Sequence, residues 1–158
     1  MQTLYQIALT THIIGLSTMA GTTLVAYFLA KQFWNQYASD KSKAIAIHEA
    51  GSKFSTLFGA GIVLLILSGI AMMAITRGTF GKHLWFQIKF GLIIGVIING
   101  LAVGKWQASR LTKILSEEVS EINSKRKLLR IKSNIRWFHI SQLIFFLIIF
   151  TLSVFKFN

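Results

Sequence analysis

Histidines supply the main reactive groups of this sequence, because the chain has four of them and no cysteine. They are His12, His48, His83 and His139, and each lies in or beside a different apolar stretch. Lys89 adds a cation within one of these stretches. Neutral imidazole binds transition metals, whereas thiolate and iron–sulfur sites need cysteine. A polar group in hydrocarbon is costly unless it is satisfied, so we expect His12 and Lys89 to have partners.

Four continuous apolar stretches position these residues: 4–30, 54–75, 84–103 and 137–155. Each is close to the roughly 20 residues that a helix needs to cross a bilayer. None contains an acidic residue, the chain has no proline, and the runs lack the short alternation of a β-barrel. The composition, 53% hydrophobic and 14% charged, is unlike that of a soluble domain. We therefore predict a single all-α domain, an integral membrane four-helix bundle.

Basic residues predict its orientation. The segments after the first and third stretches hold 13 of the 17 lysines and arginines. The positive-inside rule then places both basic loops in the cytoplasm and both termini outside, in a multi-pass protein of a bacterial-type inner membrane. This topology, with contacts to anionic lipid, accounts for the net charge of +12 better than nucleic-acid binding does.

The segment 105–136 is predicted to be helical. Leu111, Leu115, Val119 and Ile122 follow near-helical spacing with basic residues between them, as in a helix on an anionic membrane surface. The alternative is a solvated charged linker. Residues 44–58 are expected to extend the second helix beyond the membrane.

Two small-xxx-small pairs occur in the third stretch. Gly91 with Gly95, and Gly100 with Gly104, would allow close packing of another helix or the approach of a flat cofactor. Packing is the simpler interpretation, and both make the third helix central to the bundle.

Depth divides the candidate residues into two groups. His12 lies about nine residues, or roughly 13 Å, from the outer end of its helix. His83 opens the third helix and Lys89 lies deeper in it, so these three residues form an outer group. His48 and His139 form an inner pair. His48, His83 and His139 also lie near interfaces, where a histidine is often only hydrated.

Haem is the cofactor that best suits these groups, because imidazole ligates its iron and a helical bundle can enclose it. His12 and His83 are the candidate ligands of an outer haem b, and His139 and His48 those of an inner one. Arg77, Lys82 and Lys89 could bind the propionates on the outer side. Two stacked haems would permit electron transfer across the membrane.

Several motifs resemble those of HemJ-type protoporphyrinogen oxidases and the related CopD-like membrane proteins. They are Thr11-His12-Ile13-Ile14, Ala20-Gly21, Trp85 and Lys89 opening the third helix, and the tail 153–157. Residues 27–34 lack the proline and histidine of that family, so the resemblance is to a divergent member.

The resemblance implies b-type haem with His12 as iron ligand, and Lys89 and Trp85 as essential catalytic partners in the same pocket. For the family's enzymes it further implies six-electron oxidation of protoporphyrinogen IX, a porphyrin substrate, with electrons passing to quinone.

A second hypothesis is non-enzymatic. The chain would be a small membrane subunit or scaffold, alone or as a homo-oligomer, whose basic loop 105–136 binds a partner or anionic lipid. Transport through a carboxylate relay is not supported, because all five acidic residues lie in the two basic loops. No Walker A, GxSxG, HExxH or dinucleotide motif is present.

Overall fold

Five α-helices and one 3-10 helix make up the described chain. The computed structural model describes residues 1–100, 105–116 and 121–155, and within them it has no strand. The helices are α1 (Gln2–Gln36), α2 (Lys41–Ile75), the 3-10 helix (Thr79–Lys82), α3 (Leu84–Ile98), α4 (Lys105–Ser116) and α5 (Glu121–Val154). Asn99 and Gly100 continue α3 as a π-helical turn.

Three of these helices are long and apolar enough to cross a membrane: α1, α2 and the 127–154 part of α5. The all-helical prediction is therefore confirmed for the described residues, and the chain is a helical membrane protein. The shorter apolar helix α3 has 15 residues. With 35 residues each, α1 and α2 measure about 52 Å at 1.5 Å per residue. Because a hydrocarbon core is about 30 Å thick, both extend well beyond it.

Local sequence explains where the long helices end. Asp40 caps α2, because its carboxylate accepts a hydrogen bond of 3.0 Å from the backbone N–H of Lys43. At the other end of α2, Arg77 and Gly78 both adopt positive φ, 52° and 73°, and reverse the chain toward the 3-10 helix. Residues 44–58 lie within α2, as expected of a helical extension.

The closest helix contact lies between α1 and α2. A Cβ added to Gly61 would lie 2.6 Å from Met19 Cγ, and one added to Gly15 would lie 2.9 Å from the backbone nitrogen of Leu65. Glycine at both positions lets the two backbones approach, as in membrane helix pairs generally. This pair of glycines on different helices was not identified from the sequence.

The prediction that the third helix is central was wrong. A Cβ added to Gly91 or Gly95 would meet nothing within 4 Å, so no described helix packs on this pair. A Cβ added to Gly100, by contrast, would lie 3.0 Å from Cε1 of Phe58. It is α5 that packs against α1, α3 and α4.

Two apolar clusters hold the helices together. The first, the membrane core, contains Leu16, Met19, Leu65, Val96, Phe146 and Ile149 and so draws on α1, α2, α3 and α5. The second, the basic-end core, contains Phe33, Ala44, Leu111 and Ile131 from α1, α2, α4 and α5. We call the end of the bundle with the second cluster the basic end. The opposite end holds the chain start, the 3-10 helix and the end of α5.

Parts of the sequence-based predictions lie outside the described residues. They are residues 101–103 of the third stretch, Gly104, residues 117–120 of the basic loop, and Lys156 and Phe157 in the tail.

We expect Gly61→Val to destabilise the protein by about 1–3 kcal/mol, because its side chain must displace Met19 or the α1 backbone. Thermal unfolding in detergent, followed by circular dichroism, measures this. Gly91→Val is the matched control and should unfold at the wild-type temperature, since nothing lies within 4 Å of an added Cβ there. Equal melting temperatures for both variants would contradict the tight α1–α2 contact.

Candidate functional site

His12 has a partner on α2. Its Nδ1 lies 3.0 Å from Ser68 Oγ. The Ser68 hydroxyl donates to the backbone carbonyls of Leu64 and Leu65 one turn earlier, so its oxygen accepts from the Nδ1–H of His12. This arrangement favours the tautomer in which Nε2 of His12 keeps its lone pair. Ser68 was not identified from the sequence.

Lys89 lies near His12 and has a partner on α5. Its ammonium donates a hydrogen bond of 2.9 Å to Ser153 Oγ, whose hydroxyl donates to the carbonyl of Ile149. Lys89 is also close enough to act electrostatically on His12. The structure thus brings together these two residues, with their serines, from α1, α2, α3 and α5.

The other residues of the predicted outer group lie around the start of α3. Trp85 is buried, and the ring of His83 stacks on it with centroids 6.4 Å apart. His83 is also the N-cap residue of α3. Arg77 is exposed in the turn after α2.

A cavity of about 680 Å³ lies at the basic end, between the membrane core and the basic-end core. Phe58 and Ile62, which pack on the membrane core, line one part of it. Phe33 and Leu111 of the basic-end core line another. The volume falls within the range of about 300–1,000 Å³ typical of ligand sites. None of His12, His83, Trp85, Arg77 and Lys89 lines this cavity.

His139 lines the cavity from α5 and is only 9% exposed. Its neighbours are the rings of Phe138 and Tyr27, at centroid distances of 4.9 and 6.3 Å. Among the buried side-chain nitrogens and oxygens that the structure describes, Nδ1 of His139 is the one that has no hydrogen-bond partner. Buried polar atoms are normally paired, so this nitrogen is an exception to the rule.

His48 lines the same cavity from α2. Its Nε2 lies 3.3 Å from Thr112 Oγ1 of α4, and its ring lies 6.0 Å from that of Phe33. The structure thus places both members of the predicted inner pair on one cavity. No group of three or more His, Asp or Glu side chains suited to a metal ion occurs among the described residues. A haem iron needs only one or two protein ligands.

An amide network borders the cavity where it meets the membrane core. Gln142, 1% exposed, donates a hydrogen bond of 3.0 Å to the carbonyl of Val96 and accepts one of 2.8 Å from Asn99. Asn99 also donates to Ser141. The sequence analysis missed these residues, although two amides within apolar stretches were a signal that could have found them.

Comparisons with models of protein families, with curated proteins and with solved structures find no match to this chain. The resemblance to HemJ-type proteins therefore stays a prediction that rests on the residues alone.

We expect His139→Leu to leave the melting temperature of the ligand-free protein unchanged or higher, because Nδ1 makes no hydrogen bond that the change could remove. Gln142→Leu is the matched comparison, and we expect it to cost about 1 kcal/mol, because it removes the hydrogen bonds of Gln142 with Asn99 and with the Val96 carbonyl. Thermal unfolding in detergent, without added ligand, measures both. A larger loss for His139→Leu would show that this histidine has a structural role.

Proposed function

We propose that the chain crosses the membrane four times, through α1, α2, α5 and a segment beginning with α3. All four contribute to the membrane core, and α3 is apolar although short. The basic end then faces the cytoplasm, by the positive-inside rule, and both termini lie outside. In a bacterial cell this is the inner membrane.

Two single-cysteine variants test this orientation, because the chain has no cysteine of its own. Ser39→Cys lies in the exposed turn at the basic end, and Thr79→Cys in the exposed 3-10 helix at the opposite end. We expect an impermeant maleimide added to intact cells to label Thr79→Cys and to label Ser39→Cys only after lysis. The reverse labelling pattern would invert the proposed topology, and labelling of both in intact cells would contradict it.

We further propose that the basic-end cavity binds haem b and that His139 is an iron ligand. The carrying observation is His139, a nearly buried histidine that lines an apolar cavity of about 680 Å³ and whose Nδ1 has no hydrogen-bond partner in the protein. His48, on another helix lining the same cavity, is the candidate second ligand.

The shape of α2 suits a flat ligand. Gly51, Ser55 and Gly59 follow one another at intervals of four residues and all line the cavity. A Cβ added to Gly59 would meet nothing within 4 Å, so this wall offers space. When bound, haem would supply one-electron redox chemistry, and the protein would serve membrane electron transfer, with quinone or a porphyrin as partner.

The proposed haem thus lies at the basic end, whereas the sequence analysis placed the main site at the opposite end. His12 and Lys89 do lie together, but each has a serine partner and neither lines the cavity. They stay candidates for a second haem. Porphyrinogen oxidation rests on the family resemblance alone, and no described contact adds to it.

Absorption spectra test the haem proposal. We expect protein purified from haem-replete cells to show a Soret band and a reduced α-band. His139→Leu should lose both, because no nitrogen then remains at that position, and His48→Leu should shift or weaken them. His83→Leu is the control and should keep the wild-type spectrum, since His83 does not line the cavity.

A colourless wild-type preparation that also fails to bind added haemin would contradict the haem proposal. If His12→Leu lost the bands and His139→Leu kept them, the haem would instead be assigned to the opposite end of the bundle.

A second candidate function is contact with anionic lipid through α4. Trp106 is exposed, and the guanidinium of Arg110 lies 3.6 Å from its ring centroid. An aromatic ring with a cation on a membrane-proximal helix is typical of an interfacial anchor. Haem-free protein that binds phosphatidylglycerol vesicles would favour this function.

A further inference from the structure

One face of α1 is exposed along the segment that crosses the membrane. Gly15 and Met19 face α2, and Ser17 lies midway between them in the sequence, so it is on the other side of the helix. Three further exposed residues share the side of Ser17, because the intervals of seven or four residues between them are close to whole turns. The exposed face of α1 is defined by these four residues: Gln6, Ile13, Ser17 and Leu24.

Two residues of this face, Gln6 and Ser17, have polar side chains without a hydrogen bond in the part of the chain that the structure describes. Thr10 and Thr18 of the same helix, by comparison, each donate to a backbone carbonyl four residues earlier. Ser17 lies midway along the apolar stretch 4–30, so its hydroxyl faces hydrocarbon, where no water can pair with it. A polar partner on another helix would satisfy both groups.

The surface of α1 beside Gln6 is concave. A shallow depression of about 270 Å³ lies there, and its lining residues all belong to the first part of this helix: Thr3, Gln6, Ile7, Thr10 and Thr11. A depression beside an unpaired carboxamide can accommodate a side chain of a neighbouring helix. Shape and hydrogen-bonding capacity therefore coincide at this end of the exposed face.

We propose that the exposed face of α1 is the interface of a homodimer, in which the α1 helices of two copies pair in parallel. Copies of one chain insert in the same orientation, so a two-fold axis along the membrane normal places each residue of the face opposite its own copy. The carboxamide of Gln6 and the hydroxyl of Ser17 each donate and accept, so each can bond to its own copy. Ile13 and Leu24 add apolar contacts, and the face has no charge that would repel a second copy.

The exposed glycine pair of α3 gives no comparable indication of a partner. A Cβ added to Gly91 or Gly95 would meet nothing within 4 Å. Gln87, one turn before Gly91, already donates a hydrogen bond of 3.2 Å to the backbone carbonyl of Gly81. This part of α3 can therefore face lipid, whereas α1 has two polar groups that need a partner. The dimer is independent of whether the cavity binds haem.

Oxidative cross-linking in native membranes tests the interface, because the chain has no cysteine of its own. A disulfide needs Cα atoms about 4.4–6.8 Å apart, so only residues opposite each other pair efficiently. Val63→Cys is the matched control, since Val63 is exposed on α2 at the depth of Ser17: the close contacts at Gly15 and Gly61 lie two residues from each. We expect Ser17→Cys to form cross-linked dimers about 10-fold faster than Val63→Cys.

Sedimentation equilibrium of the full-length protein in detergent tests the two polar groups. We expect the wild type to be a dimer and Q6L/S17L to raise the dissociation constant of the dimer about 3- to 10-fold, because interhelical hydrogen bonds are lost. T151L is the control. Thr151 is exposed on α5, but its hydroxyl donates to the carbonyl of Leu147, so its replacement should leave the dimer unchanged. Circular dichroism should show wild-type helix content for both variants.

Four other outcomes would overturn the proposal. A wild type that sediments only as a monomer would show that no stable dimer forms. Equal cross-linking rates for Ser17→Cys and Val63→Cys would indicate random collisions, and faster cross-linking of Val63→Cys would place the contact on α2. If Q6L/S17L kept the wild-type dissociation constant, the polar groups would not hold the dimer. A cross-linked product with a mass other than twice that of the chain would assign the exposed face of α1 to a different membrane protein.

Discussion

The backbones of α1 and α2 approach closely at Gly15 and Gly61, where an added Cβ would lie within about 3 Å of the neighbouring helix. This contact sets the position of two helices that are each 35 residues long. Because they exceed the thickness of a bilayer core, their basic-end halves must bury apolar residues outside it. Phe33 and Ala44 do so with Leu111 of α4 and Ile131 of α5. The cavity occupies the space between this second core and the first.

Elements with strong local signals could be predicted from the sequence. Long apolar stretches without acidic residues or proline indicated membrane helices. In the structure, α1, α2 and α5 are helices long and apolar enough to cross a membrane. We also expected His12 and Lys89 each to have a polar partner, because the cost of an unpaired polar group in hydrocarbon does not depend on the fold. Which serine would serve could not be predicted, since Ser68 and Ser153 are brought near only by tertiary packing.

The arrangement of the helices was harder to predict. Gly91 and Gly95 share one helix and form a familiar spacing, yet they face open space. Gly15 and Gly61 lie on different helices, so no spacing in the sequence relates them. The cavity could not be predicted for the same reason. Residues of α1, α2, α4 and α5, together with Gly100 after α3, line it, and it exists only because tertiary packing separates the two cores. His139 was predicted as a minor candidate, and its unpaired nitrogen became evident only in the fold.

The apolar membrane core separates two sets of polar side chains. On its one side lie His12, Ser68, Lys89 and Ser153, and on its other side lie Asn99 and Gln142. Between them stand Leu16, Met19, Leu65, Val96, Phe146 and Ile149, which offer no side chain that could relay a proton. Proton hopping needs a continuous series of donors and acceptors, whereas an electron can tunnel through packed hydrocarbon. Under the proposed haem function, this core would allow electrons to cross it while its side chains offer no path for protons.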